Sequence, residues 1–224
     1  MPAWIFFFII PLVFGLWAQH KVKSSFAKWS EVPAGSVTGA EVARRILEHN
    51  GLSEIPVSVT PGELSDHYDP RDRSVHLSQA VAQSNSVSAV AVAAHEIGHA
   101  IQHAKGNAFF SFRSVLARPV GIASQLWYLP LLAGILLQQL NLIGVALILY
   151  ALVVLFHVVT LPVELDASRR AMGQLDELGI TADGRIHAGA RSVLSAAAMT
   201  YVAAALASLA QLAYFALQFF GNNR

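Results

Sequence analysis

The sequence contains no cysteine. That excludes disulfide cross-links and any thiolate metal site, and it leaves the compartment open. Charge is scarce as well. Asp, Glu, Lys and Arg make up 13% of the chain, against about 25% in an ordinary soluble domain, while 54% is hydrophobic. The formal net charge is only +1, and no basic stripe with interleaved aromatics is present, so nucleic acid is excluded as a partner class. The shortage is uneven. Residues 1–18 and 120–160 carry no charged side chain, and 195–224 carry only Arg224.

Those charge-poor stretches read as four membrane helices: Trp4 to about Ala18, about Val120 to Leu137, Leu142 to Thr160, and about Ser195 to Phe220. The first is short for a span. It lacks a basic n-region and a small-x-small cleavage site, which points to an uncleaved anchor. Only Gln138-Gln139-Leu140-Asn141 separates the second and third, so they form a hairpin. The fourth is rich in alanine, which suits close helix packing. The chain therefore divides into an anchor (1–18), a polar part (19–119), a transmembrane hairpin (120–160), a second polar segment (161–194) and a last span with a short tail (195–224). Four spans put both polar parts on one side. Lys21, Lys23, Lys28, Arg113, Arg118, Arg169 and Arg170 flank the spans there. The positive-inside rule makes that side cytoplasmic and puts both termini outside.

The most specific local pattern is His95-Glu96-Ile97-Gly98-His99. Two histidines four residues apart share one face of a helix, so both imidazoles can reach one Zn²⁺. The adjacent Glu96 can take a proton from a metal-bound water. A catalytic zinc usually has a third protein ligand. His103 continues the spacing, but it lies about 12 Å from His95 along a straight helix, too far to share the ion. Glu164, in Leu161-PVELDASRR-Ala171, is the first carboxylate after a long apolar stretch. A buried carboxylate there is costly unless it is paired or metal-bound. Asp166 is the rival ligand, or else accepts a hydrogen bond from a ligand histidine. Pro162 is expected to start or kink a polar helix.

Five blocks of residues resemble the bacterial YugP-like membrane zinc metallopeptidases. They are AAHEIGHAIQH, PVELDASRRA, VLSAAAMTYVAAALASL, VTGAEVARRILEHNGL and GELSDHYDPRDRSVHLS, and together they run over most of residues 17 to 210. The resemblance implies a neutral zinc metallopeptidase held in a membrane. A more distant likeness is to the membrane zinc proteases of the heat-shock and prenyl-protein-processing type, which carry an E-x-x-x-D pattern. Glu164 matches the glutamate, but Ser168 stands where the aspartate would be, which leaves Asp166 as the substitute.

The polar part reads as a small α+β unit. Thr38 and Glu41 form a capping box for the helix AEVARRILEH. The stretches IPVSVT, GELSDHY and RSVHLS read as three short strands, with a turn at Asp69-Pro70-Arg71-Asp72. Asp66, His67 and Tyr68 then fall where a sheet edge lines a substrate cleft. Three residues are open as donors to a transition-state oxyanion: Tyr201, His187 and Arg191. His157, in an apolar span, either supports a metal ligand from behind or is a neutral histidine bonded to a neighbouring helix. The combined expectation is an α-helical membrane protein with about four spans and a zincin-like domain. In a gluzincin-like zinc endopeptidase of this kind, one catalytic Zn²⁺ sits on His95, His99 and Glu164, and Glu96 is the base. The partners are the lipid bilayer of a bacterial cytoplasmic membrane and a peptide or membrane-protein substrate. The alternatives are a catalytically silent membrane scaffold, or a structural zinc site with Asp166 or His103 as fourth ligand.

Overall fold

The computed structural model describes residues 5–221. The Trp4 start of the first expected span and the tail from Asn222 to Arg224 lie outside the described residues. A π-helical turn, Ile5–Ile9, runs into α1 (Ile10–Ser30). Then come α2 (Gly39–His49), β1 (Val57–Thr60), β2 (His67–Asp69), β3 (Ser74–Ser78) and the short α3 (Gln79–Ala82). The rest is helical: α4 (Val87–Ala104), α5 (Ala108–Leu126), α6 (Tyr128–Leu136), α7 (Leu140–Glu177) and α8 (Gly184–Gly221).

Among the described residues four helical stretches are long and apolar enough to cross a membrane: Ile5–Ser30, Ala108–Leu136, Leu140–Glu177 and Gly184–Phe219. This is a multi-pass membrane protein, mostly helical, with one small sheet. The four stretches match the expected spans in number, but each reaches well past its hydropathy limit. The chain positions 18/19, 119/120, 160/161 and 194/195 all fall inside helices. Polarity changes along these helices, while the helical course of the chain does not.

Pro162 requires a correction. It neither starts a helix nor ends one, and α7 runs unbroken for 38 residues from Leu140 to Glu177. Proline removes one ladder donor, yet helices near a membrane tolerate it where neighbouring helices pack against them. Here α4, α5 and α8 all pack on α7. The turn before α7 is also tighter than expected, since α6 ends at Leu136 and α7 begins at Leu140. Gln138 takes a positive φ of 54° to reverse the chain.

Local rules hold in the polar part. The Thr38 amide donates to Glu41 Oε2 at 2.7 Å, and the Glu41 amide donates to Thr38 Oγ1 at 3.3 Å, which completes the capping box. The sheet order is β1-β3-β2, with β1 parallel and β2 antiparallel to β3. The strands are shorter than the sequence patterns suggested. Gly62 (φ 102°) and Leu64 (φ 53°) coil the chain ahead of β2, and strand pairing begins only at His67. Asp66 secures the end of β3 by accepting from the Ser78 amide at 2.7 Å.

The central element is α4. Ser86 caps it by accepting from the Ala89 amide. Val87, Val90, Ala91, Ala93, Ala94, Ile97, Ala100 and Ile101 are all buried, so the helix is apolar nearly all round. Such a helix belongs in a core, and α4 packs against α2, α7, α8 and the sheet. Its small side chains allow the close approaches on which the site depends.

Candidate metal centre

Two helices supply the site. On α4, His95 and His99 are one turn apart, with ring centroids 4.8 Å from each other. On α7, Glu164 is 1% exposed. Its Oε2 lies 3.2 Å from His95 Nε2 and 3.5 Å from His99 Nε2. The helices can come this close because residue 98 is glycine. A Cβ there would stand 2.7 Å from the Ala167 carbonyl oxygen, closer than real contacts allow. Any side chain at 98 would push α7 away and take Glu164 with it.

The spacing of the three groups suits a small divalent ion. Bonds of about 2.0–2.1 Å at tetrahedral angles put neighbouring ligand atoms about 3.3–3.4 Å apart, and the two histidine–carboxylate distances here are 3.2 and 3.5 Å. Ligand atoms of His95, His99 and Glu164 all lie within 4.8 Å of one another. Two imidazole nitrogens with one carboxylate oxygen form a donor set typical of zinc. The other carboxylate oxygen, Glu164 Oε1, is buried and accepts no hydrogen bond from the described residues. Arg113 Nη2 faces it at 3.4 Å.

The outer contact of His99 fixes the tautomer of its ring. Gln102 is fully buried, and its Nε2 donates to the Val163 carbonyl at 2.8 Å and to Asp166 Oδ2 at 2.9 Å. With the amide nitrogen so engaged, its Oε1 is left to accept from His99 Nδ1 at 3.0 Å. A proton on Nδ1 leaves the Nε2 lone pair free for a metal. His95 Nδ1 lies 3.3 Å from Ser168 Oγ, a hydroxyl able to accept from the ring or donate to it. Asp166 therefore does not accept directly from either histidine. It takes Gln102 and Arg170 (2.7 Å) instead, one link further out.

Glu96 is 8% exposed beside this group. Burial pushes its carboxyl up to about 7. His95 opposes the rise, the Glu164 charge adds to it, and the Tyr68 amide, directed at the carboxylate, pulls it back down.

A cleft of about 770 Å³ opens over these residues. His95, Glu96 and His99 line it, the stretch from Asp66 to Arg71 forms one wall, and Arg113, Arg118 and Phe110 of α5 form another. Phe156 of α7 and Tyr201 of α8 also line it. Of the three candidate oxyanion donors, only Tyr201 lines the cleft. His187 faces Asp176 at 3.6 Å, and Arg191 is exposed on α8. His157, in the middle of α7, does not line the cleft, and its buried Nδ1 has no hydrogen-bond partner among the described residues.

Sequence reasoning missed Gln102, Ser168 and Arg113. For two of them a signal existed. Gln102 is three residues after His99 and Ser168 is four after Glu164, so each shares a helical face with a candidate ligand. Arg113 carried no local signal, because its meeting with Glu164 depends on how α5 packs on α7.

Comparison with known proteins gives a consistent result. Residues 4–220 match the model of a family described as "Putative neutral zinc metallopeptidase". The chain is 47% identical over 220 residues to a Bacillus subtilis (strain 168) protein named "Putative membrane protease YugP", covering 98% of this chain and 97% of that one. No solved structure matches.

Proposed function

Because the chain belongs to this zinc metallopeptidase family, we propose that it is an integral-membrane peptidase of zincin-like, gluzincin-type construction. His95 Nε2, His99 Nε2 and Glu164 would hold one Zn²⁺. The observation that carries this reading is the convergence of those three groups, with Glu164 brought from a separate helix to within 4.8 Å of the two histidines, which line a cleft together with Glu96. When bound, the ion lowers the pKa of a coordinated water to about 7 and polarises the scissile carbonyl.

The chain's own residues do the rest. Glu96 takes a proton from the attacking water and delivers it to the leaving amine. Its buried setting raises its proton affinity, which suits the delivery half of that cycle. Tyr201 is the favoured hydroxyl donor to the oxyanion, because it lines the cleft and His187 and Arg191 do not. Gln102 holds the His99 imidazole in the tautomer that presents Nε2, and Ser168 contacts the outer nitrogen of His95. His67 and Tyr68 form the wall against which an extended peptide lies. The deciding experiment is a cleavage profile of the purified protein on a mixed peptide set. Hydrolysis should be abolished by a chelator and restored by zinc, and cleavage indifferent to the chelator would overturn the reading.

The topology follows from charge. Both polar parts, and with them the cleft, face the cytoplasm of a bacterium, and both termini lie outside. A reporter fused after Arg224 or inserted at Gln139 should signal from outside. One placed in the turn from Asp69 to Asp72 should signal from inside, and the reverse pattern would put the cleft on the outer face.

A further inference from the structure

The third histidine of α4 reaches no metal site. His103 Nδ1 and the Tyr68 hydroxyl share a hydrogen bond of 2.8 Å. His103 can accept in this bond, because burial, aided by Arg73, holds its pKa below the usual value and keeps the ring neutral. Tyr68 is 8% exposed, and its ring packs against His103 and Phe110. The Tyr68 main chain, in turn, faces the Glu96 carboxylate. A path therefore leaves α4 at His103, crosses to β2, and returns to α4 at Glu96.

That path matters because β2 is weakly held. It is a three-residue strand at the edge of the sheet, paired only with β3. The turn that follows it carries Arg73 at a positive φ of 56°. An edge strand this short has little hydrogen bonding of its own to fix its distance from a neighbouring helix. The Tyr68–His103 bond and the Phe110 contact supply that distance. We infer that His103 is a positioning residue for Glu96, acting through Tyr68 and β2 rather than through the metal. This inference rests on the peptidase reading, with Glu96 as base.

The test is a double-mutant cycle in the purified full-length protein, with zinc content, kcat and KM measured on one peptide. His103→Phe keeps an aromatic ring in the cluster and removes the hydrogen bond, and Tyr68→Phe removes it from the other side. Each single variant should keep zinc content within about twofold of the parent and lower kcat on the order of tenfold, with KM little changed in His103→Phe, which does not touch the cleft wall. The double variant should fall no further than either single one, because both break the same bond. His103→Gln, which can still bond the hydroxyl, should recover much of kcat. Amide hydrogen exchange adds a readout that needs no catalysis. Residues 67–69 should exchange faster in His103→Phe while α4 stays protected. Loss of zinc in either single variant, additive losses in the double variant, or unchanged kcat with unchanged exchange would each overturn the inference. If the parent protein cleaves nothing but exchange still rises as described, the peptidase reading fails while the structural link from His103 to β2 stands.

Discussion

Glu96→Gln will keep its zinc and lose hydrolysis by roughly 10²–10⁴-fold, the usual worth of general acid–base catalysis. The amide is nearly the same size as the carboxylate, so the buried position beside His95 is not disrupted. What disappears is the ability to take a proton from water and return it to the leaving amine. Metal analysis and peptide turnover on one preparation check both halves. Full turnover in that variant would rule out Glu96 as the base. Loss of zinc would mean that Glu96 coordinates the ion, and the ligand set would have to be redrawn.

Glu164→Ala will empty the site as thoroughly as His95→Ala or His99→Ala. Each removes one of three protein bonds to the ion, and the remaining two cannot hold it in a closed geometry. Asp166→Ala should be milder, about 10–100-fold in affinity, the range for groups that orient ligands rather than bind metal. The mildness has a structural reason. Asp166 acts on His99 only through Gln102, and the Val163 carbonyl still holds Gln102 in its absence. His103→Ala should leave zinc content near normal, since its ring nitrogen is engaged with Tyr68. Zinc titrations of the five variants in detergent decide the matter. If Asp166→Ala empties the site and Glu164→Ala does not, the ligand assignment is wrong.

Much of this arrangement could be read from the sequence, because it rests on rules that act over a few residues. Hydropathy marks four spans, since burying uncharged side chains in lipid needs no partner to be known. The capping box at Thr38 and Glu41 is a contact between neighbours. His95 and His99 share a helix face by geometry alone, and Glu164 stands out because charge is absent for so long before it. What escaped depends on packing across distance. Pro162 reads locally as a helix start, yet α7 runs continuously through it from Leu140 to Glu177, with α4, α5 and α8 packed on it. Ser168 looked like a departure from an acidic pattern, but its hydroxyl lies 3.3 Å from the outer nitrogen of His95. Asp166 was read as touching a histidine, and a buried glutamine stands between them. The link from Arg113 to Glu164 joins residues that no periodicity connects.

The unbroken course of α7 has a consequence for how targets are met. At 1.5 Å per residue the helix is about 57 Å long, nearly twice the roughly 30 Å of a hydrocarbon core. Glu164 follows the apolar stretch by only four residues, about 6 Å beyond Thr160 on the same rod. One continuous helix carries both the apolar stretch and Glu164, so the span itself sets how far Glu164 lies from the lipid. A polypeptide anchored in the same bilayer is thereby confined to a thin layer at the height of the cleft. Its search is lateral rather than through bulk solvent, and its effective concentration is set by surface density. On the proposed peptidase reading, tight intrinsic affinity for peptide would then be unnecessary, and an untethered peptide of the same sequence should be the poorer substrate because it forgoes that confinement.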